Sequence, residues 1–476
     1  MIESMEIARR RPYHKQKLTL VWSAMRHFAQ ELGELGYEVD YYAAQPHLKP
    51  ALRAHMVKHH PTHMRLMETA EYGRSVRLAD ILKTYKVDVE ITPNNMFLSD
   101  RAAFARNARG KKTLLMETFY RRMRRETGLL MDGEEPEGGE WNYDRLNRER
   151  PPLDHEFPPI PRFEPDQTTR SVMDLVAREF STHFGELDGF WLPVTRPDAE
   201  QFLEDFLEHR LDLFGPYEDA IVVGQPGLYH SLISPLLNIG LLEPLDICRR
   251  VEACYYEGTA RLNSVEGFIR QIVGWREFMY QVYHLKMPDY EQANHFEADL
   301  PLPDFYWNAD TDMYCVADAI KTLQRYGINH HIQRLMITGN LALIAGINPQ
   351  SVNGWYWSAY TDAYGWVVTP NVLGLSLYAD DGLIATKPYS ASANYINRMS
   401  DCCQQCAYDH RRKTGENACP FNSLYWDFLA RNYDRLKRNP RMNLVMAMYD
   451  KLDRGQVKAM RKQAARIRER LGTGQP

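Results

Sequence analysis

The most regular run of hydrophobic positions lies between Ile332 and Ala345. Ile332, Leu335, Met336, Leu341, Leu343 and Ile344 recur at helical spacing, which predicts a buried helix. Two adjacent histidines, His330 and His331, open it, and Arg334 lies on its first turn. A Gly-Ile-Asn-Pro turn at 346–349 ends it. Six aromatic residues follow within twelve positions: Trp355, Tyr356, Trp357, Tyr360, Tyr364 and Trp366, with Asp362 among them. A packed core is the ordinary use of such a stripe. Three features point past it. Adjacent histidines stand about 100° apart on a helix and cannot both face one core. A buried arginine and a buried aspartate need partners, and they can be each other's. Stacked indoles and phenols suit a planar, redox-active ligand.

Upstream the period changes. KLTLVWSAM (17–25), YEVDYYAA (37–44), KVDVEITP (86–93) and residues 112–118 read as strands, with helices over RHFAQELGELG and 71–85. Such alternation predicts a parallel sheet with helices on its faces, a Rossmann-like α/β domain over 1–130. No G-x-G-x-x-G or Walker motif accompanies it, so no phosphate cradle follows from a motif. From 131 the pattern dissolves. Gly and Glu dominate first, and six prolines then fall within 151–165, which bars a continuous helix or strand. We expect an interdomain linker over 131–190 and an all-helical domain over 191–476. Within the latter, Asp198–His209 and Leu241–Arg261 read as amphipathic, and 267–284 as a helix carrying Gln271 and Arg276. The segment 230–244 carries Ser231 and Ser234 one turn apart, placed to cap a helix or hold a phosphate.

Composition adds limits. The chain has 476 residues, 44% hydrophobic and 25% charged, an ordinary globular balance with room for two or three domains. No run of 18 apolar residues exists, so no membrane span is expected. Seven unevenly spread cysteines do not form a disulfide framework, which points to a reducing compartment, the cytoplasm. The net charge of −4 is uneven: residues 398–476 hold 17 Lys+Arg and 8 Asp+Glu, or +9, leaving −13 for the remainder. A basic C-terminal region suits a polyanion partner, though a solvated helix face explains 458–470 as well. Residues 101–125 hold nine Lys+Arg against Glu117 alone; a solvated helix is slightly the better reading there.

The sharpest local signal is Cys403-x2-Cys406-x12-Cys419-Pro420. Two thiolates at i and i+3 can bind one metal centre from a single turn, and a third arrives after a loop. Cys315 is the best candidate for the fourth ligand, with Cys402 as a substitute for Cys403. Four thiolates suit zinc or a [4Fe–4S] cluster, and the Cys-Pro ending favours iron–sulfur. Cys248 and Cys254 have core-like spacing.

Together GWREFMYQVY, HHIQRLMITGNLALIAGINP, WYWSAYTDAYGWV, ATKPYSASANYINRMSD and CxxC…ACPFNSLYWDFLARN resemble the bacterial iron–sulfur branch of the photolyase/cryptochrome superfamily, the prokaryotic (6-4) photolyases. The likeness runs over nearly the whole chain. It implies an α/β antenna domain, a long interdomain loop and a helical domain holding FAD beside a [4Fe–4S] cluster. By this resemblance Cys315, Cys403, Cys406 and Cys419 are the cluster ligands. His230, Ser231 and Ser234 hold the FAD phosphates, Arg334 and Asp362 pair beside the isoalloxazine, and Gln271 and Asn371 are flavin neighbours. Trp307, Trp355 and Tyr356 carry electrons. His330 and His331 are the active-site pair, Tyr389 meets the lesion, and Arg276 and Lys387 meet DNA. Asn340 is a weaker flavin match. The implied partner is UV-damaged DNA and the implied state a monomer. A light-signalling cryptochrome is the alternative on the same scaffold. A non-light iron–sulfur nucleic-acid-binding protein, like the large subunit of primases, is a more distant one. The resemblance departs at the N-terminus. The family's first apolar strand and Gly-Asp-Gln-Leu turn are missing before MIESMEIARRR. The family's antenna, 6,7-dimethyl-8-ribityllumazine, packs near there, beside Glu3.

Overall fold

A computed structural model describes residues 1–150 and 155–473. The N-terminal part holds four short strands: β1 (Ile2–Ser4), β2 (Tyr42–Gln45), β3 (His63–Met67) and β4 (Asp88–Thr92). A helix follows each of the first three: Lys15–Glu34, Leu48–His59 and Arg74–Lys83. The strands form two parallel pairs, β1 with β2 and β3 with β4, and not the single sheet expected. β1 is three residues long and pairs with β2 in an irregular register.

Two strand expectations fail. KLTLVWSAM lies inside the helix Lys15–Glu34. Leu18, Leu20 and Trp22 imitate a period of two because both sides of this helix are covered. Leu18 and Trp22 pack with Val172, Leu175 and Val176 on one side, and Leu20 enters the main core on the other. Residues 112–118 form no strand either; the helix Met116–Thr127 begins within them, after Leu114 has bonded to Leu383. The strand expected at 37–44 is confined to its end, and that at 86–93 corresponds to β4.

The proline-rich segment runs largely without regular structure up to Asp166, whose carboxylate caps the helix Gln167–Glu179; Pro151 and Pro152 lie outside the described residues. A two-residue hairpin, β5 (Met131–Asp132) with β6 (Glu135–Pro136), precedes it. The remainder is helical. Gly346 takes the left-handed conformation (φ 82°) that ends the helix Asn340–Ala345. Asn348 caps the next helix, Pro349–Ala359, with Pro349 in its first turn. The basic run at 121–125 is partly structural: Arg121, Arg124 and Arg125 surround the Trp141 ring, and the buried Arg124 donates to the Leu129 and Leu130 carbonyls. Among the described residues no helix is long and apolar enough to cross a membrane.

Candidate functional site

Three helices share an unusual feature. Each widens into a π-helical turn, over Arg270–Arg276, Gln333–Gly339 and Pro370–Ser376. Such turns are rare and concentrate at functional sites, because each re-aims side chains from an otherwise regular helix. All three face one cavity of about 330 Å³. Two of them approach closely, since a Cβ on Gly339 would stand 2.1 Å from the Ser376 hydroxyl and 2.8 Å from the Arg334 carbonyl. The walls are mainly apolar, with Phe214, Phe268, Ile272, Leu335, Val372 and Leu375 among them.

Polar groups converge on this lining. Arg334 makes a bidentate pair with Asp362, Nη1 to Oδ1 and Nη2 to Oδ2 both at 2.9 Å, and its Nε donates to the Asn329 carbonyl at 2.8 Å. The guanidinium lies 4.2 Å from the Tyr360 ring centroid. Burial alone would raise the Asp362 carboxyl, but Arg334 and a hydrogen bond from Ser234 outweigh it and hold the pKa below its ordinary value. That bond commits the Ser234 hydroxyl proton to Asp362 Oδ2, at 2.6 Å. While it does so, Ser234 has no proton for a phosphate. Ser231 lines the cavity.

His330 is buried, and its ring stacks on His230 with centroids 4.5 Å apart and planes 7° from parallel. His330 Nδ1 and His230 Nε2 are buried without a hydrogen-bond partner among the described residues. Burial, reinforced by neighbouring histidines, pulls both pKa values down, that of His230 to about 3. Both rings are therefore neutral near pH 7. His331 also lines the cavity but is exposed to water. Surrounding protein and then the Arg334 cation lower its pKa too.

Gln271 and Asn371 line the same space, each with its amide nitrogen already donating: Gln271 to Glu218 and Gly267, Asn371 to Val367. Two acids that the sequence reading missed, Glu218 and Asp219, stand there as well. Burial pushes Glu218 up to about 7 and Asp219 up to about 6. The segment around them has no periodicity that would mark it.

Other expected residues are dispersed. Arg276 reaches the cavity wall but is buried and donates to the Met96 carbonyl and to Glu277, lying over Phe97 and Trp366. This corrects its placement against DNA: the charge that would meet a phosphate is enclosed and paired. Lys387 and Tyr389 are exposed and lie outside the cavity lining. Asn340 is buried and bonds to the Ala391 backbone. Tyr356 lines the cavity and touches Trp355 edge to face at 4.8 Å; Trp355 touches Tyr306 in the same manner at 4.9 Å. Trp307 stands aside, with its ring against Phe184. Tyr306, one position earlier, continues the aromatic row.

A second, small pocket is lined by Cys315, Cys402, Cys403, Cys406 and Cys419. Three elements bring them there: the helix Tyr314–Tyr326, the loop at 402–406 and the start of the helix Pro420–Arg431. No three of these sulfurs lie within 4.8 Å of one another. Thiolates sharing one zinc ion at about 2.3 Å would stand about 3.8 Å apart. Burial and the neighbouring sulfurs raise the Cys315 thiol strongly and that of Cys403 to about 11.

Comparison with known proteins first gives the class. The fold resembles that of a bacterial class III photolyase from Agrobacterium tumefaciens (TM-score 0.58, 14% identity, covering 98% of this chain and 91% of that one). Residues 1–192 match the family model described as deoxyribodipyrimidine photo-lyase-related protein. A (6-4) photolyase of Agrobacterium fabrum is 46% identical over 464 residues, 96% of this chain and 92% of the relative. The chain belongs to the (6-4) photolyase family. An uncharacterised protein of Acanthamoeba polyphaga mimivirus is 36% identical over 102 residues, 21% of this chain and 76% of that protein.

Proposed function

We propose that this chain is a light-driven DNA-repair enzyme that reverses pyrimidine-pyrimidone (6-4) photoproducts. It would work in the cytoplasm with FAD in the large cavity. Residues 1–130 serve as the α/β domain, 131–190 as the connecting loop and 191–476 as the catalytic domain. The carrying observation is the cavity framed by three π-helical turns, with the Arg334–Asp362 pair inside and His331 open to solvent.

The lining suits FAD. Apolar walls match an aromatic ring system, and buried unpartnered nitrogens of His230 and His330 leave hydrogen-bonding capacity for a ligand. Arg334 and Asp362 would bind its polar edge, with Asn371 beside them. His230 and Ser231 would approach its phosphates. When bound and reduced, flavin supplies a light-excited electron. The lesion must leave the base stack to come near, and a damaged pair flips at lower cost than a sound one. His331 would meet it at the mouth and hold or donate a proton there. His330, neutral and stacked on His230, positions its neighbour. Tyr356, Trp355 and Tyr306 offer a path of touching rings toward the cavity. DNA phosphates would meet exposed basic side chains such as Lys387.

Cys315, Cys403, Cys406 and Cys419 would hold a [4Fe–4S] cluster. Thiols gathered from three elements around one small pocket suit such a cluster, which spreads its ligands further than a single zinc ion does. The cluster would fasten the start of the helix Pro420–Arg431 to the helix Tyr314–Tyr326. Cys419→Ala is expected to lower bound iron on the order of 10-fold or more, measured by metal analysis, and to lower the unfolding temperature. Glu3 offers no free acceptor to a lumazine antenna. That buried carboxylate already accepts two bonds from Arg26, one from Tyr41 and one from the Ala44 backbone, which fills its four acceptor positions. No step is assigned to an antenna.

The test is illumination of the flavin-loaded protein with an oligonucleotide carrying a (6-4) lesion. Loss of the lesion in light and not in darkness is expected. Light absorption by bound flavin without repair would overturn the enzymatic reading in favour of a photoreceptor.

A further inference from the structure

Outside the lining of both pockets, the segment before β2 and the helix Leu48–His59 bring three metal-ligating side chains together. Asp40, His55 and His59 each offer one ligand atom, and these atoms lie within 4.8 Å of one another. His55 and His59 are four residues apart, so one helix face presents both rings, with centroids 4.6 Å apart. Asp40 Oδ2 lies 3.4 Å from His55 Nδ1 and 2.5 Å from His59 Nε2. Lys58 occupies the other oxygen, Oδ1, at 2.6 Å. The carboxylate is thereby oriented with one oxygen toward the two imidazoles.

The support beneath is firm. Leu52 and Met56 anchor the helix in a cluster with Leu82 and Val87, and the Tyr42 hydroxyl of β2 stands 3.3 Å from His55 Nδ1. Ligands on an anchored helix hold their geometry better than ligands on a loop. None of the three residues lines the large cavity or the cysteine pocket, and the repair chemistry gives them no task.

We propose that Asp40, His55 and His59 form a site for a divalent transition-metal ion, zinc being the ion that fits best. Two imidazoles and one carboxylate are the three-ligand set of zinc sites that keep a fourth position for water. Imidazole ligands favour zinc, copper or nickel over magnesium or calcium. The ion takes the place of the ring protons that Asp40 otherwise shares, and it ties the segment entering β2 to the helix leaving it.

The experiment is equilibrium dialysis of the holoprotein, its cysteine-bound metal in place, against micromolar free zinc, followed by metal analysis. Wild type is expected to bind one zinc more than the His55→Ala/His59→Ala double variant. Asp40→Asn, which keeps the shape of the side chain, is expected to weaken zinc at least about 100-fold, more than loss of an outer hydrogen-bond partner typically costs. His60→Asn, next to the site and tolerant of the left-handed backbone there (φ 46°), is expected to bind as wild type does. Circular dichroism checks that each variant is folded; should the double variant unfold, Asp40→Asn decides. Equal zinc in wild type and Asp40→Asn, or no extra zinc in wild type, overturns the proposal.

Discussion

Asp362→Ala is expected to destabilise the protein by about 3–5 kcal/mol, the cost typical of removing one partner of a buried ion pair. It is also expected to yield protein that retains no flavin. Asp362 is 6% exposed, and its two oxygens accept from both terminal nitrogens of Arg334 and from Ser234. Truncation leaves the guanidinium over the Tyr360 ring with no counter-charge. The penalty comes from the charge left behind, so Asp362→Leu combined with Arg334→Met should recover much of the stability and none of the flavin binding. Denaturant titration separates the two effects, with flavin absorbance read on the same samples. The pH dependence has a definite sign. The folded pKa lies below the unfolded value of about 4, so the pair contributes fully above that value and its contribution is lost as pH falls through the lower folded pKa. Asp362→Asn should therefore show a shallower loss of stability toward acid than wild type.

This pair shows what a sequence can reveal about a buried site. Arg334 and Asp362 were legible because a charged residue inside an apolar helix pattern demands a partner, and Asp362 stands inside the aromatic run that follows. Cys403, Cys406 and Cys419 were legible as a group because their spacing is local, whereas Cys315 reaches their pocket from a distant helix. Glu218 and Asp219 were not. They sit where no period is imposed, and their importance comes from enclosure by Phe214, Phe268 and Ile272, a three-dimensional property. Arg276 failed in the opposite sense: a cation on a polar-looking helix face is capped by its neighbour Glu277 and by the Met96 carbonyl, 180 residues upstream. The strand reading of 17–25 failed for a related reason. A helix buried on two sides loses its single apolar stripe, and alternate positions then mimic a strand. The π-helical turns escaped as well, since one extra residue in a turn leaves the composition unchanged and only shifts which side chains face the cavity.

His331→Ala is expected to reduce light-driven repair by about 10²- to 10⁴-fold, the range for loss of a positioned proton donor, while flavin content stays at the wild-type level. The two histidines differ in a way that predicts different phenotypes. His330 is enclosed and stacked on His230, so its removal opens a hole in the wall and should also loosen the bound flavin. His331 is exposed at the same cavity and takes no part in the stack of His330 on His230. Its pKa is lowered by the protein around it and by Arg334, so the protonated form is scarce at neutrality and grows toward acid. Repair by wild type should therefore rise as pH falls below 7, until Asp362 or the fold itself is lost. His331→Asn keeps a hydrogen-bond donor but cannot titrate, and its residual repair should be flat over that range. Quantum yields of lesion loss at matched flavin occupancy, measured across pH for wild type, His331→Ala and His331→Asn, test the assignment. A variant without a titratable group at 331 that kept the wild-type slope would place the proton donor elsewhere in the cavity, where Glu218 is the next group of suitable pKa.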